Sequence, residues 1–152
     1  LLLASSDGYG FLACVKDMSS RHRSGKAFVN VAEGSSLCRP APVATGAISQ
    51  PDGFHVVCAS HAGRVLVFDI AELRRMENGG RGLTLIKLTT GDRLLGAAVF
   101  ARAVRFVGSG RGGKLREKRM DLAALESVLG ARARGGRALR LGFVPDTIEC
   151  AD

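Results

Sequence analysis

The sequence predicts an all-β fold, a propeller-like array of about three four-stranded blades with short helical turns. Three observations carry this. First, one unit recurs three times along the 152 residues: an apolar run, a Gly turn, a second apolar run, an Asp-led polar step, then Gly-basic-small opening another strand. Second, the copies keep a period near 50. The Asp steps Asp17, Asp69 and Asp121 lie 52 residues apart, and Gly25-Lys26-Ala27, Gly80-Arg81-Gly82 and Gly136-Arg137-Ala138 follow at 55 and 56. Third, the strand-like runs are apolar on both faces. Short antiparallel hairpins need that only when both sides of the sheet are covered, as stacked blades cover one another.

The elements follow in order. Leu1–Ser5 and Gly10–Val15 predict two strands about the Asp7-Gly8 turn, and Lys26–Val31 a third. Asp17–Ser20 predicts only a turn. Pro40, Pro42 and Pro51 bracket a polar stretch, 45–50, expected to be a loose connection. In the second copy Phe54–Ala59 and Arg64–Phe68 predict strands about Gly63, followed by Leu83–Leu88 and Leu95–Ala101. Asp69 with Glu72 three residues on predicts a capped helical turn. In the third, Ala103–Val107 and Leu115–Arg119 flank a Gly-rich basic turn, Gly108–Lys114. Leu122–Leu129 predicts a short helix after Asp121, with Leu122, Leu125 and Leu129 sharing one buried face and Gly130 ending it. The chain reads as a single-domain fragment, 1–152, with repeats at about 1–50, 51–101 and 102–152. Opening on Leu1 with a repeat under way, it is expected to be part of a longer chain.

Net charge is +8, and Arg supplies 17 of the 22 basic residues. That balance points to an anionic partner, and the planar guanidinium fork suits phosphate. The excess is concentrated: from Arg102 to Arg140 there are 11 basic and 3 acidic residues. Cys14, Cys38, Cys58 and Cys150 form no C-x-x-C pair and are expected to be free thiols in a reducing compartment. No apolar stretch reaches the ~18 residues that a membrane span requires. A cytoplasmic location, no membrane partner and no cofactor are the expectations.

Three loops carry the candidate site: 21–26, 78–82 and 132–137. Glycines admit close approach of backbone N–H groups to an anion, and flanking Arg or Lys supplies charge. Phosphate contact through Arg21, Arg23, Lys26, Arg81, Arg132, Arg134 and Arg137 is expected, with Arg64, Arg111, Lys114 and Arg116 contributing from the hairpins. Gly108–Lys114 lacks a nucleotide loop's hydroxyl after the lysine, because Leu115 stands there. His22, His55 and His61 form no legible catalytic constellation, and no catalytic or metal-ligating residue is expected. With one tyrosine and no tryptophan, single-strand stacking is disfavoured. A duplex held by its phosphates fits better.

With these residues in view, Leu3-Ala4-Ser5-Ser6-Asp7-Gly8-Tyr9-Gly10-Phe11 and Arg21-His22-Arg23-Ser24-Gly25-Lys26-Ala27, with the repeats that follow, resemble the C-terminal domain of the A subunit of bacterial type IIA topoisomerases. The resemblance covers essentially the whole chain and is nearer topoisomerase IV than DNA gyrase. It implies a β-pinwheel, a propeller-like ring with exchanged strands, whose basic rim bends or wraps duplex DNA. The family's Gln-Arg-Arg-Gly-Gly-Lys-Gly box is nearest to Arg132–Ala138, which keeps Arg134, Gly135, Gly136 and a basic Arg137 but lacks the Gln, the first Arg and the final Gly. That departure implies bending in place of gyrase-type wrapping.

The resemblance also implies a non-catalytic module of an ATP-dependent type II DNA topoisomerase, an isomerase acting in DNA topology and chromosome segregation. Its partners would be duplex DNA, the ATPase B subunit, and the rest of the A subunit. The alternatives are a protein-interaction propeller of the WD-repeat or kelch kind, for which no Trp-Asp signature is present, an RNA-binding domain, and a gyrase-type wrapping domain.

Overall fold

Where an apolar run meets a Gly turn and a second apolar run, the chain doubles back into a hairpin, and this happens three times. The computed structural model describes residues 1–152. Its strands are β1 (Leu2–Ala4), β2 (Tyr9–Leu12), β3 (His55–Ser60), β4 (Arg64–Asp69), β5 (Leu83–Thr84), β6 (Leu94–Phe100), β7 (Ala103–Ser109), β8 (Leu115–Asp121), β9 (Arg137–Ala138) and β10 (Val144–Cys150). They form three antiparallel sheets, ordered β1-β2-β5, β6-β3-β4-β9 and β10-β7-β8. The hairpins β1–β2, β3–β4 and β7–β8 are the centres of three blades of a propeller-like pinwheel.

Blades one and two are completed by the copy that follows. β5 lies in the second copy yet pairs with β2, Gly10 facing Leu83. β9 lies in the third yet pairs with β4, Val65 facing Arg137. From there the chain crosses the hairpin turns and returns as the strand on the other edge of its own blade, β6 or β10. In blade one that edge is 37–41, held by bridges Leu2–Ala41 and Ser5–Leu37. These returning edges converge on a cavity of about 450 Å³ lined from all three blades, by Arg39–Pro42, Leu95–Ala98 and Asp146–Cys150. They are therefore the hub, and the exchanged strands are the outer rim.

The unbroken apolar runs are explained by the side-chain alternation of a strand. Val56 and Cys58 of β3 point into a core shared with Leu2, Ala4 and Leu12 of blade one, which Leu85 and Ile86 of the crossing segment also enter. Val57 and Ala59 point the other way, into a core shared with Val104, Phe106, Met120, Leu125 and Val128 of blade three. Each fully buried side chain of this size contributes roughly 1.5–3 kcal/mol. Leu3, Phe11 and Ala13 turn to the far face of blade one, where Phe28 covers them.

Several expectations change. The run 26–31 makes a single bridge, Val29 to Gly80, because it follows blade one's rim without pairing into a sheet. The strand expected over 83–88 stops at Thr84, where the chain turns over the hairpin end and Leu85 and Ile86 become core. Thr45–Ser49 is a helical turn anchored by buried Ala47, not a loose connection. Val15–Met18 is another helical turn where a simple turn was expected. The 122–129 helix is replaced by turns and a 3₁₀ segment, Glu126–Val128. Tightening there buries Val128 and leaves Leu129, bridged to Val67, 44% exposed. The capped turn after Asp69 forms as expected, its carboxylate accepting from the Ala71 N–H. β10 was not foreseen. No helix is long and apolar enough to cross a membrane.

Candidate nucleic-acid interface

The exchanged strands need glycine where they meet the neighbouring blade. Gly82 (φ +88°) and Gly136 (φ +67°) occupy equivalent places: a Cβ on Gly82 would lie 2.3 Å from the Gly10 carbonyl oxygen, and one on Gly136 2.7 Å from that of Val65. Downstream the equivalence continues, Leu85 N–H donating to the Gly8 carbonyl and Leu139 N–H to that of Gly63. The structural register between these copies is therefore 54 residues, two fewer than the Gly-basic-small steps suggest. Gly82-Leu83 matches Gly136-Arg137, so Arg137 lies within an exchanged strand while Arg81 sits at the bend before one. Some of the glycines attributed to anion approach serve this close packing of backbones.

The three loops are contiguous along the rim. Gly80 N–H donates to the Phe28 carbonyl and Asn30 N–H to that of Gly80, joining the run that follows the first loop to the second loop. Ala133 N–H donates to the Leu85 carbonyl (2.9 Å) and Lys87 N–H to that of Arg134 (3.0 Å), joining the second copy's crossing segment to the third loop. A single ridge thus carries basic side chains from all three copies.

Those side chains divide by their partners. Arg81 stacks on Tyr9, its guanidinium carbon 3.8 Å from the ring centroid, and pairs with Asp7 at 3.1 Å. Desolvation pushes the Asp7 carboxyl up, but hydrogen bonds from the Ser5 hydroxyl and Arg81, with the latter's charge, outweigh it and hold the group below its ordinary value. Arg132 is half-buried and donates to the Thr84 carbonyl at 2.7 Å, while its backbone N–H donates to Glu72. Arg64 donates to the Gly136 carbonyl at 2.9 Å, latching the third loop. Lys26 lies over Phe28 and donates to the Asp17 carbonyl. Arg21, Arg23, Arg134 and Arg137 are exposed, and the molecule's ion pairs involve only Arg75, Arg81 and Arg105.

Arg111, Lys114 and Arg116 are exposed at the tip of the β7–β8 hairpin, apart from the ridge. Lys87 was missed: it is exposed, beside Arg134, and as the lone cation of 83–91 it gave no cluster to notice. Lys118 and Arg119, also exposed, continue the charge of β8. Among the thiols, burial pushes Cys58 far above its ordinary value and Cys38 up to about 11.

Comparison with known proteins agrees with this architecture. Residues 55–101 match the family model described as the DNA gyrase C-terminal domain, beta-propeller. The A subunit of DNA topoisomerase 4 from Neisseria gonorrhoeae is 33% identical over 134 residues, 88% of this chain and 17% of that protein. The chain thus spans under a fifth of that relative's length. The solved E. coli ParC C-terminal domain superposes with a TM-score of 0.77 at 25% identity, over 97% of this chain and 58% of that one. A solved DNA gyrase A C-terminal domain, at 16% identity and covering 95% of this chain and 45% of that one, shares the fold with a TM-score of 0.67. By sequence pattern and by fold together, the chain is akin to the C-terminal domains of the A subunits of topoisomerase IV and DNA gyrase.

Proposed function

We propose that this chain is a duplex-DNA-binding, DNA-bending module of a type IIA topoisomerase A subunit. The observation that carries the reading is the contiguous rim ridge, which sets Arg21, Arg23, Lys87, Arg134 and Arg137 outward with no acidic partner. Arg81, Arg132 and Arg64 fasten the loops that present them. Such a rim reads phosphates and not base edges, so it binds without sequence preference. The module itself performs no chemistry and uses no cofactor. It holds a segment for the cleavage core of the parent subunit, which works with an ATPase B subunit at the bacterial nucleoid. The incomplete box at Arg132–Ala138 favours bending over full wrapping.

Fluorescence anisotropy on unrelated duplexes tests this. Neutralising about five phosphates predicts that log K falls with log salt at a slope of about −4 to −5. Replacing Arg134 and Arg137 by Glu should weaken every duplex equally. A flat salt response, or a loss confined to one sequence, refutes backbone reading; binding that follows structured RNA in preference to duplex DNA favours the RNA alternative.

A further inference from the structure

The third hairpin is longer than its counterpart in blade two. Both are rooted on an aspartate that opens a turn, Asp69 or Asp121. From that root β3–β4 pairs five residues, His55–Asp69 to Ala59–Val65, and β7–β8 pairs seven, Ala103–Asp121 to Ser109–Leu115. Two extra pairs at ~3.4 Å per residue carry the tip about 7 Å farther than the turn of blade two.

Leu115 and Val144 are 75% and 71% exposed. Each is paired with Ser109, from opposite sides, so the three side chains form one row on one face of the sheet. Arg111 and Lys114 adjoin the row from the turn, while strand alternation puts Arg116 and Lys118 on the opposite face; all four are exposed and none is ion-paired. Arg116 lies across the turn, where a Cβ on Gly110 would meet its side chain at 2.9 Å. Two carboxylates are close: Asp146 accepts from the Ser109 hydroxyl at 3.5 Å, and Glu117 follows Leu115 on the same face of β8.

An ordinary explanation of exposed apolar residues here would be a face awaiting another blade. The rest of that face argues against it. The rows by which blade two meets blade three are Val57, Ala59, Val65, Val67, Ala98 and Phe100. Counted from the two root aspartates, the corresponding residues of blade three are Arg105, Val107, Glu117, Arg119, Glu149 and Ala151. Arg105 pairs with Glu149 at 2.8 Å, and Arg119 donates to the Ala151 carbonyl at 3.2 Å. The middle of this face is thus polar where that of blade two is apolar. The apolar row stands beyond it, next to the Gly-rich turn that carries Arg111 and Lys114.

We propose that the β7–β8 tip is a wedge: it enters the minor groove of a bound duplex, and Leu115 and Val144 press against a base step and kink it. The proposal rests on the duplex-binding reading above and assigns the bend to one place. Apolar side chains carried between phosphate-binding cations are how minor-groove proteins unstack a step, bending DNA by roughly 20–90°.

Energy transfer across an end-labelled duplex, with 2-aminopurine reporting unstacking, tests the wedge. The wild-type chain should shorten the end-to-end distance and brighten 2-aminopurine, and distamycin, which fills the minor groove, should abolish both. The double variant Leu115→Ser, Val144→Ser should lose more than half of the distance change. It should also bind intact duplex about tenfold more weakly than wild type, a deficit that shrinks to within about twofold on a duplex already made flexible by a two-nucleotide gap. Both residues are largely exposed, so unchanged thermal melting is expected and serves as the folding control. A double variant that bends duplex like the wild type, or whose deficit is equal on gapped and intact duplexes, overturns the wedge. A wild-type chain that binds no duplex at all overturns the underlying reading instead.

Discussion

Gly136→Ala perturbs the strand exchange directly. Gly136 has φ +67°, and the added Cβ would fall 2.7 Å from the Val65 carbonyl oxygen. The left-handed conformation alone costs an L-residue about 1–2 kcal/mol. The clash is with backbone, so the exchanged strand has to withdraw from β4 and weaken the pairing of Arg137 with Val65 and the Leu139-to-Gly63 bond. Each such hydrogen bond is worth about 0.5–1.5 kcal/mol net, giving a total of about 2–4 kcal/mol. For a domain of this size that lowers Tm by about 5–15 °C. Gly25→Ala is the matched control, since Gly25 has φ +72° with nothing within 4 Å of a Cβ. It should cost only the conformational part, about 1–2 kcal/mol. Urea denaturation of both variants supplies the comparison, and hydrogen exchange at Leu139 reports whether the rim strand has loosened. Equal losses in the two variants, with Leu139 still protected, would refute the close-approach argument.

Two further outcomes follow from the same geometry. Phe106 is fully buried between blades two and three, so Phe106→Ala should cost about 3–5 kcal/mol in urea denaturation; a loss under 1 kcal/mol would mean that this interface is not a continuous core. Asp7 has its pKa lowered in the folded state, so its contribution is present at neutral pH and is lost as pH falls below the ordinary value of 3.8. The Tm gap between the wild type and Asp7→Asn should therefore close under acid, and a gap unchanged down to pH 3 would contradict the latch to Arg81.

The hairpins were legible because their apolar runs are demanded by covering on both sides, and β3 with β4 is the clearest case. β10 was not: Val144-Pro145-Asp146-Thr147-Ile148-Glu149 mixes Pro, carboxylates and apolar residues because its outer face is polar. The 122–129 segment has helical spacing, but the blade needs a tight turn there, and packing of Leu125 and Val128 overrides the pattern. Local sequence also carries no mark of which blade a strand joins. Gly136-Arg137-Ala138 reads the same whether it completes its own hairpin or the preceding one. At the site, charge and loop position were readable. What each guanidinium does was not, because the partners lie far along the chain: Asp7 is 74 residues from Arg81, Gly136 is 72 from Arg64, and Thr84 is 48 from Arg132.

Exchange explains why charge and connectivity occur together in this sequence. A strand arriving from the next copy can join a blade only at its outer edge, because the inner edge already lines the hub. The bend that precedes such a strand is thereby placed on the perimeter, where a long duplex can lie. Glycine is required at the bend for backbone approach, and it leaves the adjoining positions free of packing demands, so basic side chains there cost the core nothing. Some become fasteners, as Arg81 does on Tyr9 and Asp7, and the rest, Arg134 and Arg137 foremost, stay free. The β7–β8 hairpin differs in reach, pairing seven residues where β3–β4 pairs five. Its cations are carried by the hairpin itself and project past the turn of blade two, a placement suited to entering a groove more than to tracking a backbone.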